Sequence, residues 1–283
     1  WYFKDNVLEE MVPLEIVSPP SGALLLSATG DQGVFRHDNL DASPSSGVAL
    51  NVGTSLSIDY AESLPTKVVA AFNTSPYGAY STNGGTSWTN FSSYPSGATA
   101  GGDKAIAISA NGNIIVWAPD NAPLSYSTNN GNSWTMCGGS PPRGYFPESD
   151  RVNSNKFYYY DAVNGRLWVS TNGGSSFSQM STVYPTLPDY QSYNGSVNAV
   201  FGREGDLWIT TGAGGLYHST DSGTSSSKVS SVTEAYLIGF GKSSGTSSYP
   251  AIYLHGIVGG AIGIYRSDDG GSSWSRINTD STQ

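Results

Sequence analysis

Apolar residues in this chain fall into short runs separated by polar, glycine-rich stretches. Runs of about four to eight residues bounded by turn formers predict β-strands. They cover Ala23–Ser27, Val68–Phe72, Ile106–Ile108, Ile114–Trp117, Lys156–Tyr160, Leu207–Thr211, Ala235–Phe240 and Ala251–His255. No segment sustains an apolar period of 3.6 residues. The best helical stretch, Asp5–Val12, is short and runs into Pro13, which ends helices. The chain reads as all-β.

Five apolar or aromatic runs are each followed by the same polar motif, the Asp-box: STNGGTSW from Ser81, STNNGNSW from Ser127, STNGGSSF from Ser170, STDSGTSS from Ser219 and SDDGGSSW from Ser267. Successive copies start 46, 43, 49 and 48 residues apart. A period of roughly 20–50 residues marks solenoids, propellers and arrays. Asn-Gly, Asp-Gly and Gly-Gly accept the positive φ that a hairpin tip needs, and an Asp or Asn side chain can close the turn on nearby amides. The closing Trp88, Trp134, Phe177 and Trp274 suit apolar plugs between units. Asn83, Asn129, Asn172, Asp221 and Asp269 are therefore read as scaffold, and the three Asn cannot do acid–base work. A period of about 47 in 283 residues gives six units, or seven if one is incomplete. Such repeats predict a β-propeller with four-stranded blades.

Composition narrows the setting. The 35 Gly and 18 Tyr, with only 12% charged residues, fit many short strands joined by polar turns. A net charge of −9 without any Lys/Arg cluster excludes nucleic acid as a partner. A lone Cys137 excludes an internal disulfide, and no run approaches the ~18 apolar residues of a membrane span. The histidines at 37, 218 and 255 are scattered, giving no zinc or calcium motif, so no metal or cofactor is expected. No signal-peptide pattern is present, and Trp1 is no initiator, so the chain is expected to be a processed piece. Sequons at Asn73, Asn90 and Asn194 allow a secreted, extracellular protein.

Candidate chemistry lies outside the repeats. The run Ala23–Ser27 ends in Ala28-Thr29-Gly30-Asp31-Gln32-Gly33 and restarts as Val34-Phe35-Arg36-His37. Loops at strand ends line the functional face of a propeller, and an Asp between glycines is open to close approach. On its own, GDQG is a turn.

The string SPPSGA…GDQGVFRHD resembles the opening of the second propeller in glycoside hydrolase family 74, the xyloglucanases and reducing-end-specific cellobiohydrolases. The likeness continues through VVAAF, IIVWAPDNAPLSYSTNNGNSW, SDRVNSNKFYYYDAVNGRLWVSTNGGSSF, GREGDLWITTGAGGLYHSTDSG and YPAIYLHGIVGGAIGIYRSDDGGSSWSRIN, nearly the whole chain in order. The resemblance implies about seven blades, the last incomplete within this chain or closed by a partner fragment. Residues 1–283 would form one propeller, the C-terminal half of a two-propeller enzyme that inverts the anomeric configuration. It places the general acid on Asp31, and the catalytic base on the N-terminal propeller, absent here. That role needs a carboxyl kept protonated until the leaving oxygen takes the proton. Val34 stands where the family often has Gly, and Ser226 replaces the aromatic of the fourth box.

Sugar faces stack on flat rings, which makes Trp117, Tyr60 and Trp208 candidate platforms, each with core packing as the alternative. His37 is a candidate for orienting a sugar hydroxyl, with a structural hydrogen bond as its alternative. A non-catalytic carbohydrate-binding propeller remains the competing reading. A sialidase is disfavoured: seven arginines form no carboxylate-binding cluster and the Arg-Ile-Pro start motif is missing.

Overall fold

The computed structural model describes residues 12–44, 47–139, 141–142, 146–245 and 247–278. The stretch read as a possible helix, Asp5–Val12, lies outside them except for Val12. Six four-stranded antiparallel sheets follow one another, each with its strands in sequence order. Sheet 1 comprises Pro13–Val17, Leu25–Thr29, Gly33–His37 and Val48–Leu50. Sheet 2 comprises Ser55–Ala61, Leu64–Phe72, Gly78–Ser81 and Thr89–Asn90. Sheet 3 holds Ile106–Ile108, Ile115–Trp117, Ser125–Ser127 and Thr135–Met136. Sheet 4 holds Pro147–Ser149, Phe157–Asp161, Arg166–Ser170 and Ser178–Val183. Sheet 5 holds Gly195–Ala199, Leu207–Thr211, Leu216–Ser219 and Ser227–Lys228. Sheet 6 holds Val232–Gly241, Ala251–Val258, Ala261–Ser267 and Ser275–Arg276. A 3-10 turn, Asp189–Asn194, leads into sheet 5.

The first strands of all six sheets line one channel, through Ile16, Ile58, Ile106, Glu148, Val197 and Leu237. The sheets are thus blades of a β-propeller, six among the described residues and one fewer than the resemblance implies. Polar staples join neighbouring inner strands. Glu15 accepts from the Ile58 amide (2.7 Å), Asp59 from the Ile108 amide (2.8 Å) and Glu148 from the Ala199 amide (3.3 Å). Between sheets 5 and 6, Gly212 and Ala235 pair in an antiparallel bridge.

Burial along the strands records which blades are flanked. Phe157–Asp161 in sheet 4 is buried at every position, because sheets pack on both its faces. In sheet 6, Ala261–Ser267 alternates: Gly263 and Tyr265 are buried, while Ile262 and Ile264 are exposed. Its second strand buries Ile252 and Leu254 with Trp208 and Leu216 of sheet 5, and leaves His255 exposed. Sheet 1 likewise exposes Ile16 and Leu24. A space of about 560 Å³ opens from the channel along Pro13–Val17 and along Tyr253, His255 and Ile264.

The five repeated turns join the third and fourth strands of sheets 2 to 6 on what we term the lower rim. In the first, Ser81 Oγ accepts from the Gly85 amide (2.9 Å), and Asn83 Oδ1 accepts from the Ser87 amide (2.9 Å). Asn83 Nδ2 donates to Ser87 Oγ (2.8 Å). Where Asp replaces Asn, the hydroxyl donates instead: Ser273 Oγ to Asp269 Oδ2 (2.6 Å). Donation from Ser273 and Ser225 holds the Asp269 and Asp221 carboxyls below the usual carboxylate range. The fifth residue of each turn, always glycine, meets an apolar residue of the preceding sheet. A Cβ on Gly85, Gly131, Gly174, Gly223 or Gly271 would come within 3.0 Å of Leu26, Phe91, Val116, Leu167 or Trp208, respectively. All five also have positive φ, so glycine is needed there on two counts.

Candidate active site

The opposite, upper rim carries the turns between second and third strands and the connections to the next sheet. Asp31 lies there, at the tip of the hairpin formed by Leu25–Thr29 and Gly33–His37, whose end pairs are Thr29 with Gly33 and Leu25 with His37. Thr29 Oγ1 donates to the Gly33 carbonyl (2.9 Å), and the Gly30 amide donates to the Val12 carbonyl (2.8 Å). The Asp31 amide donates to Thr54 Oγ1 (3.1 Å), tying the tip to the connection into sheet 2. Gly33 has φ of 102° and a Cβ there would strike the Leu50 carbonyl, so the turn is locked by its neighbours.

Asp31 itself has φ of 68°, a left-handed conformation that costs a non-glycine residue on the order of 1 kcal/mol or more. It is exposed, and its carboxyl makes no hydrogen bond to a described residue. Non-glycine residues with positive φ number six among the described residues; Asn130 and Ser222 belong to the lower-rim turns. The other four, Asp31, Tyr77, Lys104 and Asn121, all lie on upper-rim connections. Backbone strain gathers on the rim that holds the candidate acid.

The remaining expected site residues do not join Asp31. Trp117 is 0% exposed, donates its indole N–H to the Gly101 carbonyl (2.7 Å), and packs against Phe91 and Trp134. Trp208 is 0% exposed at the lower end of its strand and donates to Tyr249 Oη (2.8 Å). Tyr60 is 9% exposed near the lower end of an inner strand and donates to Glu62 (2.9 Å) under the Arg151 guanidinium. Stacking needs a ring face open to the ligand, and none of these three offers one. His37 sits at the far end of its strand from Asp31, and its Nε2 lies 3.0 Å from Ser27 Oγ. Its contact is the structural alternative.

Sequence reasoning passed over the mouth of the channel on the upper rim. A cavity of about 600 Å³ is lined there by Leu14, Leu56, Lys104, Tyr193, Tyr236 and His255, among others. Leu56 of this lining follows two residues after Thr54, which holds the Asp31 turn. Tyr190 (75% exposed) and Tyr193 (62% exposed) project from the 3-10 turn. Their signal was the three-residue spacing in PDYQSYN, which matches the 3-10 repeat.

Below the mouth, burial in the channel wall pushes the Glu15 carboxyl up to about 7, against the opposing donation from Ile58 and Ser57. Burial also raises Glu148, although its pairing with Arg151 (3.1 Å) opposes the shift. Arg151 reaches Asp59 of sheet 2 as well (2.8 Å), so this cluster reads as a structural clamp. On the lower rim, Asp206 Oδ1 is shared by His218 (2.7 Å) and Tyr249 (2.8 Å), with His218 stacked on Trp208. Burial pushes the Cys137 thiol up to about 12, which leaves it an inert, apolar side chain. Among the described residues no group of three or more His, Cys, Asp or Glu is placed to hold a metal.

Comparison with models of protein families gives no match. Individual proteins do match. A xyloglucanase of a Paenibacillus species is 43% identical over 98% of this chain and 27% of its own length. The xyloglucanase Xgh74A of Acetivibrio thermocellus is 38% identical over 98% of this chain and 32% of its own length. Among solved structures, the GH74 enzyme of Niastella koreensis superposes with a TM-score of 0.87 at 37% identity, over 97% of this chain and 38% of its own. The GH74 xyloglucanase of Xanthomonas campestris superposes with a TM-score of 0.88 at 33% identity, over 100% and 40%. The chain thus spans well under half the length of the relatives it matches. Over the stretch that it shares with them, this chain belongs to glycoside hydrolase family 74.

Proposed function

We propose that this chain is the C-terminal propeller of an inverting, xyloglucan-cleaving glycosidase, with Asp31 as its general acid. The observation that carries the assignment is the Asp31 turn. A strained, exposed carboxyl without a partner among the described residues is held on the loop-bearing rim by Gly30, Thr54 and Gly33. A residue kept in a costly conformation with its functional group free fits a reacting group better than a structural one. The acid protonates the leaving glycosidic oxygen while a carboxylate on a second, N-terminal propeller activates water on the opposite face. The two carboxyls of an inverting pair stand roughly 6.5–9.5 Å apart. Because the polymer is too large to enter a cell, the protein works outside it. The longer length of the relatives is consistent with a partner propeller.

The five lower-rim turns are read as Asp-boxes of a ring of seven blades. The support is the exposed Ile262 and Ile264 on sheet 6, of which Ile264 lines a space also lined by Pro13–Val17 of sheet 1. A seventh sheet, from chain outside the described residues, would cover them.

The test is xyloglucan hydrolysis by the full-length protein and its Asp31→Asn variant, followed by reducing ends. Loss of cleavage with binding retained is expected. An aryl glycoside with a good leaving group, which needs little protonation, should be cleaved far better than the polymer by the variant. Wild-type rates on both substrates would overturn the role of Asp31. Saccharide binding with no cleavage by the full-length wild type would favour the non-catalytic binding module instead.

A further inference from the structure

The Asp31 turn is braced from the neighbouring blade by groups that the acid–base pair does not use. Residues 51–54 connect sheet 1 to sheet 2, and this connection is gripped from two sides. On one side Gly33 packs so closely that a Cβ there would meet the Leu50 carbonyl and lie 3.2 Å from the Val52 nitrogen. On the other, Thr74 Oγ1 donates to the Val52 carbonyl (3.1 Å) and the Asn73 amide to the Thr54 carbonyl (3.1 Å). Asn73 and Thr74 open the turn between the second and third strands of sheet 2. That turn is closed by bonds from the Tyr77 amide to the Thr74 carbonyl (2.7 Å) and from the Phe72 amide to the Tyr77 carbonyl (2.9 Å). The Gly101 amide donates to the Phe72 carbonyl (3.1 Å), so the brace reaches the connection into sheet 3. Thr54 stands at the end of this brace, half-buried, and its Oγ1 accepts from the Asp31 amide (3.1 Å).

From this geometry we infer that Thr54 is a positioning residue: its hydroxyl oxygen holds the Asp31 backbone and thereby fixes where the acid's carboxyl stands. This inference rests on the glycosidase reading and deepens it. The φ of 68° at Asp31 is unfavourable for a residue with a side chain, so the turn keeps it only while its surroundings outweigh the strain. A net hydrogen bond is comparable in free energy to that strain, so losing one changes how often the turn holds this shape. The carboxyl has no partner among the described residues, so the backbone that carries it sets its place. A general acid must stand within hydrogen-bond reach of the leaving oxygen, and a displacement of about 1 Å lowers a rate by up to about a hundredfold.

The test uses the full-length protein with Thr54→Val, which keeps the side-chain shape and removes the acceptor, and Thr54→Ser, which keeps the acceptor. On xyloglucan, Thr54→Val should lower kcat about tenfold with KM unchanged, and Thr54→Ser should restore it to within about twofold of wild type. On an aryl glycoside of the xyloglucan oligosaccharide with a good leaving group, Thr54→Val should lose less than about twofold, because that reaction needs little protonation. Melting temperatures should agree within about 3 °C, since water replaces the acceptor at this half-buried position. Thr74→Val, one step further along the brace, should show the same selective loss at smaller size without touching Thr54. Wild-type kcat in Thr54→Val, an equal loss on both substrates, or a raised KM overturns the positioning role. If Asp31→Asn abolishes polymer cleavage while Thr54→Val cleaves as wild type does, the positioning role falls and the function stands. If Asp31→Asn cleaves xyloglucan at the wild-type rate, the acid assignment itself falls, and the role of Thr54 with it.

Discussion

Replacing Trp117 by alanine separates a core residue from a sugar platform. The indole is 0% exposed, packed at a tilt against Phe91 (5.7 Å between centroids) and edge-on against Trp134 (5.0 Å), with its N–H on the Gly101 carbonyl. Truncating a fully buried Trp removes its transfer energy and leaves a cavity, together about 3–5 kcal/mol. The Gly101 carbonyl also loses its donor, a cost of about 1 kcal/mol within that range. For a domain of this size each kcal/mol moves the melting point by roughly 2–4 °C, so Trp117→Ala should melt about 10 °C lower. Trp117→Phe keeps a ring but strands the carbonyl, and should cost about 2 kcal/mol. Differential scanning calorimetry reads both, and KM for xyloglucan at a temperature where the variant stays folded should be unchanged. A melting point within about 2 °C of wild type, with KM raised, would refute the burial argument and return the ring to the substrate.

Three further outcomes follow from particular contacts. Gly131→Ala should destabilise by more than about 2 kcal/mol in a urea melt, because its Cβ would enter the Phe91 ring and its φ of 75° disfavours alanine; a neutral result would mean that the turn shifts freely. Asp31→Gly relieves the left-handed strain, so the melting point should hold or rise by up to about 3 °C while cleavage is lost; a fall of several degrees would reveal a stabilising contact of the carboxyl. The raised Glu15 carboxyl makes the fold favour the protonated form, so its stabilising contribution is complete below the ordinary value of 4.5 and is lost as pH rises through about 7. Stability should therefore fall across that window by at most about 1.4 kcal/mol per pH unit from this group, and Glu15→Gln should flatten the profile; an identical profile in the variant would remove Glu15 as its source.

Much of the architecture is legible in sequence because turn chemistry is local. Each hairpin tip is marked by residues chosen for positive φ, and the predicted strands at Ile106–Ile108 and Leu207–Thr211 match the structure. Ala23–Ser27 is displaced by two residues, because the strand starts only where Leu25 pairs with His37. Sheet 1 has no repeated turn, yet the spacing still counts it. The aromatic platforms were not legible. In a two-faced sheet, alternation distinguishes inside from outside. In a blade flanked on both sides, a ring is buried whichever way it points, as Trp117 and Tyr158 show. The tyrosines that do stand in solvent lie on a connection between sheets, where no strand period announces them.

The ring's one-way staples also bear on how it comes apart. Each blade is bonded chiefly to its neighbours, with Glu15, Asp59 and Glu148 each reaching one sheet onward. Such an assembly behaves as a linear series of coupled units, and cooperativity weakens toward its ends. Among the described residues, sheets 1 and 6 each present an exposed apolar face and stand at the two ends of that series. Opening should start at these two edges and move inward, so that amide exchange is slowest in sheets 3 and 4. Covering the edges would join the two ends and turn a fraying series into a single cooperative ring.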